Sequence, residues 1–109
     1  MMTSKQRSYL KGLAMNLDSV FQIGKASITP EFTESIIEIL EARELIKINV
    51  LKNCEDEPKE LAQVLADRTH SEVVQVIGTK FVLYRPSHKK DKTDKIVLVQ
   101  DNKKKKQTK

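Results

Sequence analysis

These 109 residues predict an α/β fold: a two-layer sandwich in which one small, mixed, four-stranded sheet carries three helices in the order αβαβαββ. Three observations predict it. Apolar residues recur at helical spacing in three stretches, short β-branched runs separate those stretches, and Gly78-Thr79-Lys80 joins the last two runs as a tight turn.

The first helix is expected over Thr3 to Asn16, where Gln6, Leu10, Leu13, Ala14 and Leu17 form a stripe and Thr3 or Ser4 can cap. At about 100° per residue, Arg7 and Lys11 fall on one flank of that stripe and Lys5 on the other. Val20 to Ile23 is a short strand. After a loop of small residues, Thr29-Pro30-Glu31 starts the second helix. Thr29 is an N-cap, Pro30 occupies a position whose N–H is not needed, and Glu31 complements the positive helix end. That helix, Pro30 to Arg43, turns Phe32, Ile36, Ile39 and Leu40 inward. Its outer face is an acidic ridge of Glu31, Glu34, Glu38 and Glu41, which repels a polyanion laid along it.

Glu44 to Leu51 alternates strictly, with Ile46, Ile48 and Val50 on one side and Lys47 and Asn49 on the other. Pro58 opens a third helix to Thr69, with Leu61, Ala62, Leu65 and Ala66 inward. Val73 to Ile77 and Phe81 to Arg85 form a hairpin across Gly78, and Pro86 ends the pattern. Residues 1–86 are therefore expected as one folded domain. Residues 87–109 have the composition of a flexible tail, interrupted by Ile96-Val97-Leu98-Val99, which reads either as an extra edge strand or as a partner-binding segment.

The net charge of +5 is unevenly placed. Residues 1–86 carry eleven Lys and Arg against twelve Asp and Glu, a net of −1, whereas residues 87–109 carry nine Lys against three Asp, a net of +6. A polyanion site in the body must come from local clustering of charge. No apolar run is long enough to span a bilayer, and the N-terminus lacks a signal-peptide core, so a cytoplasmic protein with no membrane partner is expected. Cys54 stands alone among acidic neighbours that disfavour its thiolate, and one Cys with His70 and His88 does not make a usual zinc site. No nucleophile motif, P-loop, dinucleotide fingerprint or cluster of His with carboxylates is present, so neither an enzyme nor a cofactor is expected.

Phosphate chemistry has one favourable place. Gly24-Lys25-Ala26-Ser27 brings small residues and an ammonium to the tip of the second helix, where backbone N–H groups are exposed. An ordinary strand-to-helix turn fits the same residues.

Separated motifs then fall in register: Lys5-Gln6-Arg7, Leu10-Lys11-Gly12-Leu13-Ala14, Gln22-Ile23-Gly24-Lys25, Glu41-Ala42-Arg43-Glu44-Leu45-Ile46-Lys47, Val74-Gln75-Val76-Ile77-Gly78 and Val82-Leu83-Tyr84-Arg85. Over residues 3–86 the chain resembles the CRM-domain family, most closely its stand-alone bacterial YhbY-type members. The resemblance implies a non-enzymatic RNA-binding module with a fold similar to the C-terminal domain of translation initiation factor three. It also implies a role with large-subunit precursors in ribosome assembly. The family's GxxG loop, similar in logic to the clamp that KH domains place on a nucleotide backbone, maps to Gly24, Lys25, Ala26 and Ser27. Ser27 stands where the second glycine would be, exchanging backbone freedom for a hydroxyl.

The resulting expectation is RNA contact at Gly24, Lys25, Ala26 and Ser27, extended along the first helix by Arg7 and Lys11, with Lys5, Lys47 and Arg85 as further candidates. The partner is ribosomal RNA, and a monomer is expected. The alternative is a protein-interaction module that uses residues 96–99 to add a strand to a partner and has only non-specific RNA affinity.

Overall fold

A computed structural model describes residues 3–86; the tail, including the segment 96–99, lies outside them. The elements follow the expected order: α1 (Ser4–Ala14), β1 (Ser19–Ile23), α2 (Pro30–Arg43), β2 (Leu45–Val50), α3 (Pro58–Thr69), β3 (Glu72–Ile77) and β4 (Lys80–Tyr84). The sheet runs β1-β2-β4-β3, with β1 parallel to β2 and the other pairings antiparallel. A parallel pair needs a crossover, and α2 supplies it.

The strict alternation of β2 divides the core. Ile46, Ile48 and Val50 join Ile23, Phe81 and Leu83 under Ile36 and Leu40 of α2 and Leu61 and Leu65 of α3. Phe21 and Phe32 meet edge to face with ring centroids 5.5 Å apart, tying β1 to the first turn of α2. On the other face, Leu10 and Ala14 of α1 pack on Leu45, Val74, Val82 and Tyr84. The two-layer description thus covers the sheet with α2 and α3, while α1 lies on the opposite face. Among the described residues, the α1-side cluster does not extend over the half of the sheet near the β3–β4 turn, where Gln75, Ile77 and Lys80 lie outside it.

Local chemistry explains the element ends. Thr3 caps α1 in a reciprocal capping box with Gln6. Thr29 Oγ1 accepts from Phe32 N–H at 3.1 Å, with Pro30 at the first helical position. Helix α1 stops at Ala14 rather than Asn16, its cap N–H shared between the carbonyls of Lys11 and Gly12. Leu13, expected in the apolar stripe, is 39% exposed.

Glu44, expected to begin a strand, instead caps α2 with φ of 69° and is fully buried. Burial, together with the nearby Glu44 charge, holds the Tyr84 phenol above its usual pKa of 10.0. His70 closes α3 in the left-handed region at φ 57°, its N–H on the carbonyl of Ala66. That backbone role accounts for its position at the helix end. At the hairpin, Gly78 has φ of 57°, the conformation for which glycine was expected.

Candidate nucleic-acid interface

Because β1 and β2 are parallel neighbours, their carboxyl ends lie side by side. In open α/β sheets, ligands collect at such ends. The loop after β1 is Gly24–Ser27, closed as a turn by Ser27 N–H donating to the carbonyl of Gly24 at 2.9 Å. Lys25 and Ala26 at its tip are exposed, and Gly24 and Ser27 are half-buried. The turn delivers the chain to the N-terminus of α2, whose dipole favours an anion.

The loop after β2 meets the first loop directly. Leu51 N–H donates to the carbonyl of Ile23 at 2.8 Å, prolonging the parallel pairing, and a Cβ placed on Gly24 would lie 3.4 Å from Asn53 Oδ1. Lys52, between Leu51 and Asn53, is exposed. Lys52 and Asn53 were missed by sequence reasoning, although two consecutive strands joined by one helix are the signal for a parallel pair with adjacent ends.

Ser27 has φ of 58°, the left-handed conformation for which glycine is best suited. Its hydroxyl donates to Asp56 Oδ2 at 2.5 Å. The hydroxyl is thereby turned toward a carboxylate that sits beside the turn leading into α2.

The other expected cations are dispersed. Lys47 projects from the α1 side of β2, half-buried. Arg7 is half-buried, and its Nη1 donates to the carbonyls of Val73 and Val74, the latter at 3.2 Å, at the bulge in edge strand β3. Arg85 pairs with Glu41 at 3.4 Å just beyond β4. In strand register, both arginines lie at the Leu45–Tyr84 end of the sheet, away from the Gly24 loop. Lys5 and Lys11 are exposed in the first and last turns of α1. The structure gathers Gly24–Ser27 with Lys52 and Asn53, and it does not bring Arg7 or Arg85 to them. Among the described residues, no group of three or more His, Cys, Asp or Glu is arranged to hold a metal.

Residues 2–85 match the CRS1 / YhbY (CRM) domain. The chain belongs to the CRM-domain family. One relative, named provisionally as the RNA-binding protein YqeI of Bacillus subtilis (strain 168), is 42% identical over 87 residues, 80% of this chain and 91% of that protein. A Haemophilus influenzae protein named as RNA-binding is 34% identical over 86 residues, covering 79% of this chain and 87% of its own. The solution structure of SAV1595 from Staphylococcus aureus, described as a candidate RNA-binding protein, superposes with a TM-score of 0.70 at 49% identity, over 84% of this chain and 95% of that one. The CRM assignment spans both sheet edges, so the loop, the parallel strand ends and the α1 face all belong to the shared domain.

Proposed function

We propose that this protein binds RNA through the paired loops at the carboxyl ends of β1 and β2, and that its RNA is ribosomal, within a precursor of the large subunit. The observation that carries the reading is the convergence of an exposed Lys25 turn, exposed Lys52 and the tip of α2 at one sheet end in a CRM domain. CRM proteins act without catalysis. The mechanism is transient clamping: backbone N–H groups and ammonium groups meet phosphates, and shape rather than base sequence decides where.

The test is binding of Lys25→Glu to a large-subunit precursor transcript, followed by titration with salt. The expected result is about a tenfold or greater loss of affinity, with a salt slope reduced by about one, as fewer phosphates are neutralised. Wild-type affinity and slope in Lys25→Glu would remove the loop from the interface. Crosslinking in cells, followed by sequencing of the attached RNA, identifies the ribosomal segment; absence of ribosomal sequence from the crosslinked pool would overturn that assignment.

A further inference from the structure

The half of the sheet that α1 leaves open has a composition unlike the rest of the surface. Strand register places Gln22 beside Asn49, Asn49 beside Lys80 and Lys80 beside Ile77, one row across β1, β2, β4 and β3. The next row toward α1 sets Lys47 beside Val82 and Val82 beside Gln75. Neither row contains a carboxylate, although the body as a whole carries more acidic than basic residues. Lys47, Gln75, Ile77, Thr79, Lys80 and Val82 line a depression of about 290 Å³.

The polar groups here are poised to bind outward. Thr79 Oγ1 donates to Asn49 Oδ1 at 2.9 Å, which orients the Asn49 amide and leaves its nitrogen as a donor. Lys47 and Lys80 have no ion-pair partner among the described residues. Ile77 is 61% exposed, and Val82 is buried as the floor. The face is also continuous with the loop interface, since Gln22 lies two residues before Gly24 on β1.

We propose that this open sheet face is a second RNA contact that takes a short single-stranded segment leaving the Gly24 loop. The inference rests on the RNA-binding reading above. The lysines meet phosphates, the amides of Gln22, Asn49 and Gln75 meet base edges, and Ile77 supplies an apolar surface for a base. Four strands spaced about 4.8 Å apart give a face about 14 Å across, room for two or three nucleotides. A single strand fits because its base edges are free, whereas a duplex withholds them from a flat amide-bearing surface.

The probes are a labelled short oligouridylate, the same oligomer carrying 4-thiouridine for photocrosslinking, and a fully paired RNA duplex. The Lys47→Gln/Lys80→Gln variant removes both charges while keeping a polar side chain one atom shorter. It is expected to bind the oligouridylate about tenfold more weakly, with a salt slope lower by about 1.4, because each lost phosphate contact on a single strand removes about 0.7. Crosslinks are expected on the β3–β4 hairpin, and the duplex is expected to compete for them poorly. Wild-type binding by this variant, alongside weakened binding by Lys25→Glu, would overturn the sheet contact and leave the loop standing. Wild-type binding by both would overturn both. Should circular dichroism show the double variant unfolded, Lys80→Gln alone, at an exposed position, decides: unchanged oligouridylate affinity with no hairpin crosslink rejects the proposal.

Discussion

At Ser27, one side chain serves two opposed ends. A non-glycine residue in the left-handed region costs about 1 kcal/mol, and the Ser27–Asp56 hydrogen bond offsets part of that cost. Ser27→Ala keeps the strain and loses the bond; Ser27→Gly loses the bond and the strain together. Urea denaturation should therefore rank Gly above Ala by about 1 kcal/mol, less the extra flexibility that glycine gives the unfolded chain. Greater stability of the alanine variant would contradict the positive φ. Asp56 also places a negative charge beside the Lys25 turn. Asp56→Asn should tighten RNA binding by about threefold at low salt, with the gain fading as salt screens the charge. An unchanged affinity would mean that phosphate passes the turn on the side away from Asp56. The GxxG comparison pointed to this position, and to the backbone freedom of a glycine there, from sequence, but the carboxylate across the loop was not legible. Its position depends on where the loop after β2 folds back.

Among the elements, α2 and α3 begin and end where the sequence places them: Pro30 and Pro58 sit at first helical positions, Thr29 caps α2 with its side chain, and α3 starts at Pro58 without a side-chain cap. Periodicity also located all four strands to within a residue or two. What periodicity could not supply was the side of the sheet on which α1 packs, since an amphipathic stripe fits either face. The role of Arg7 was hidden for the same reason: as a basic residue on a helix flank it reads as an RNA contact, yet its guanidinium reaches two carbonyls at the β3 bulge. Those bonds stitch α1 to an edge strand that would otherwise present free carbonyls. Arg7→Ala should destabilise the fold by about 1–2 kcal/mol, and Arg7→Lys should recover part of that loss, because both bonds leave the single nitrogen Nη1 and an ammonium also carries several N–H donors, though on a shorter reach. Thermal melting measures the loss. RNA affinity, taken well below the melting temperature, should fall less than in Lys25→Glu; an equal fall would assign Arg7 to the interface as well.

Across the whole molecule, the division of charge decides how affinity is built. A body of net −1 cannot attract RNA from a distance by its overall field, whereas residues 87–109, at +6, can. On the proposed reading, specific contact is a matter of local geometry at the loop end of the sheet, and the expectation for the tail is sequence-independent affinity. Both core clusters of the described residues lie within residues 10–84. A chain ending at Pro86 should therefore melt as the full protein does. It should bind precursor RNA more weakly, with a shallower salt slope, since each tail lysine removed from a phosphate lowers the slope by about 0.7–0.9. If the loops recognise ribosomal RNA as proposed, the truncated chain should still prefer it over unrelated RNA of equal length. If truncation abolished that preference along with the affinity, the tail would carry recognition, and the convergence of Lys25, Lys52 and the α2 tip would be a feature of the fold alone. If instead affinity and slope were unchanged, the body would bind unaided, and the sheet-face lysines would be the next source of charge to remove.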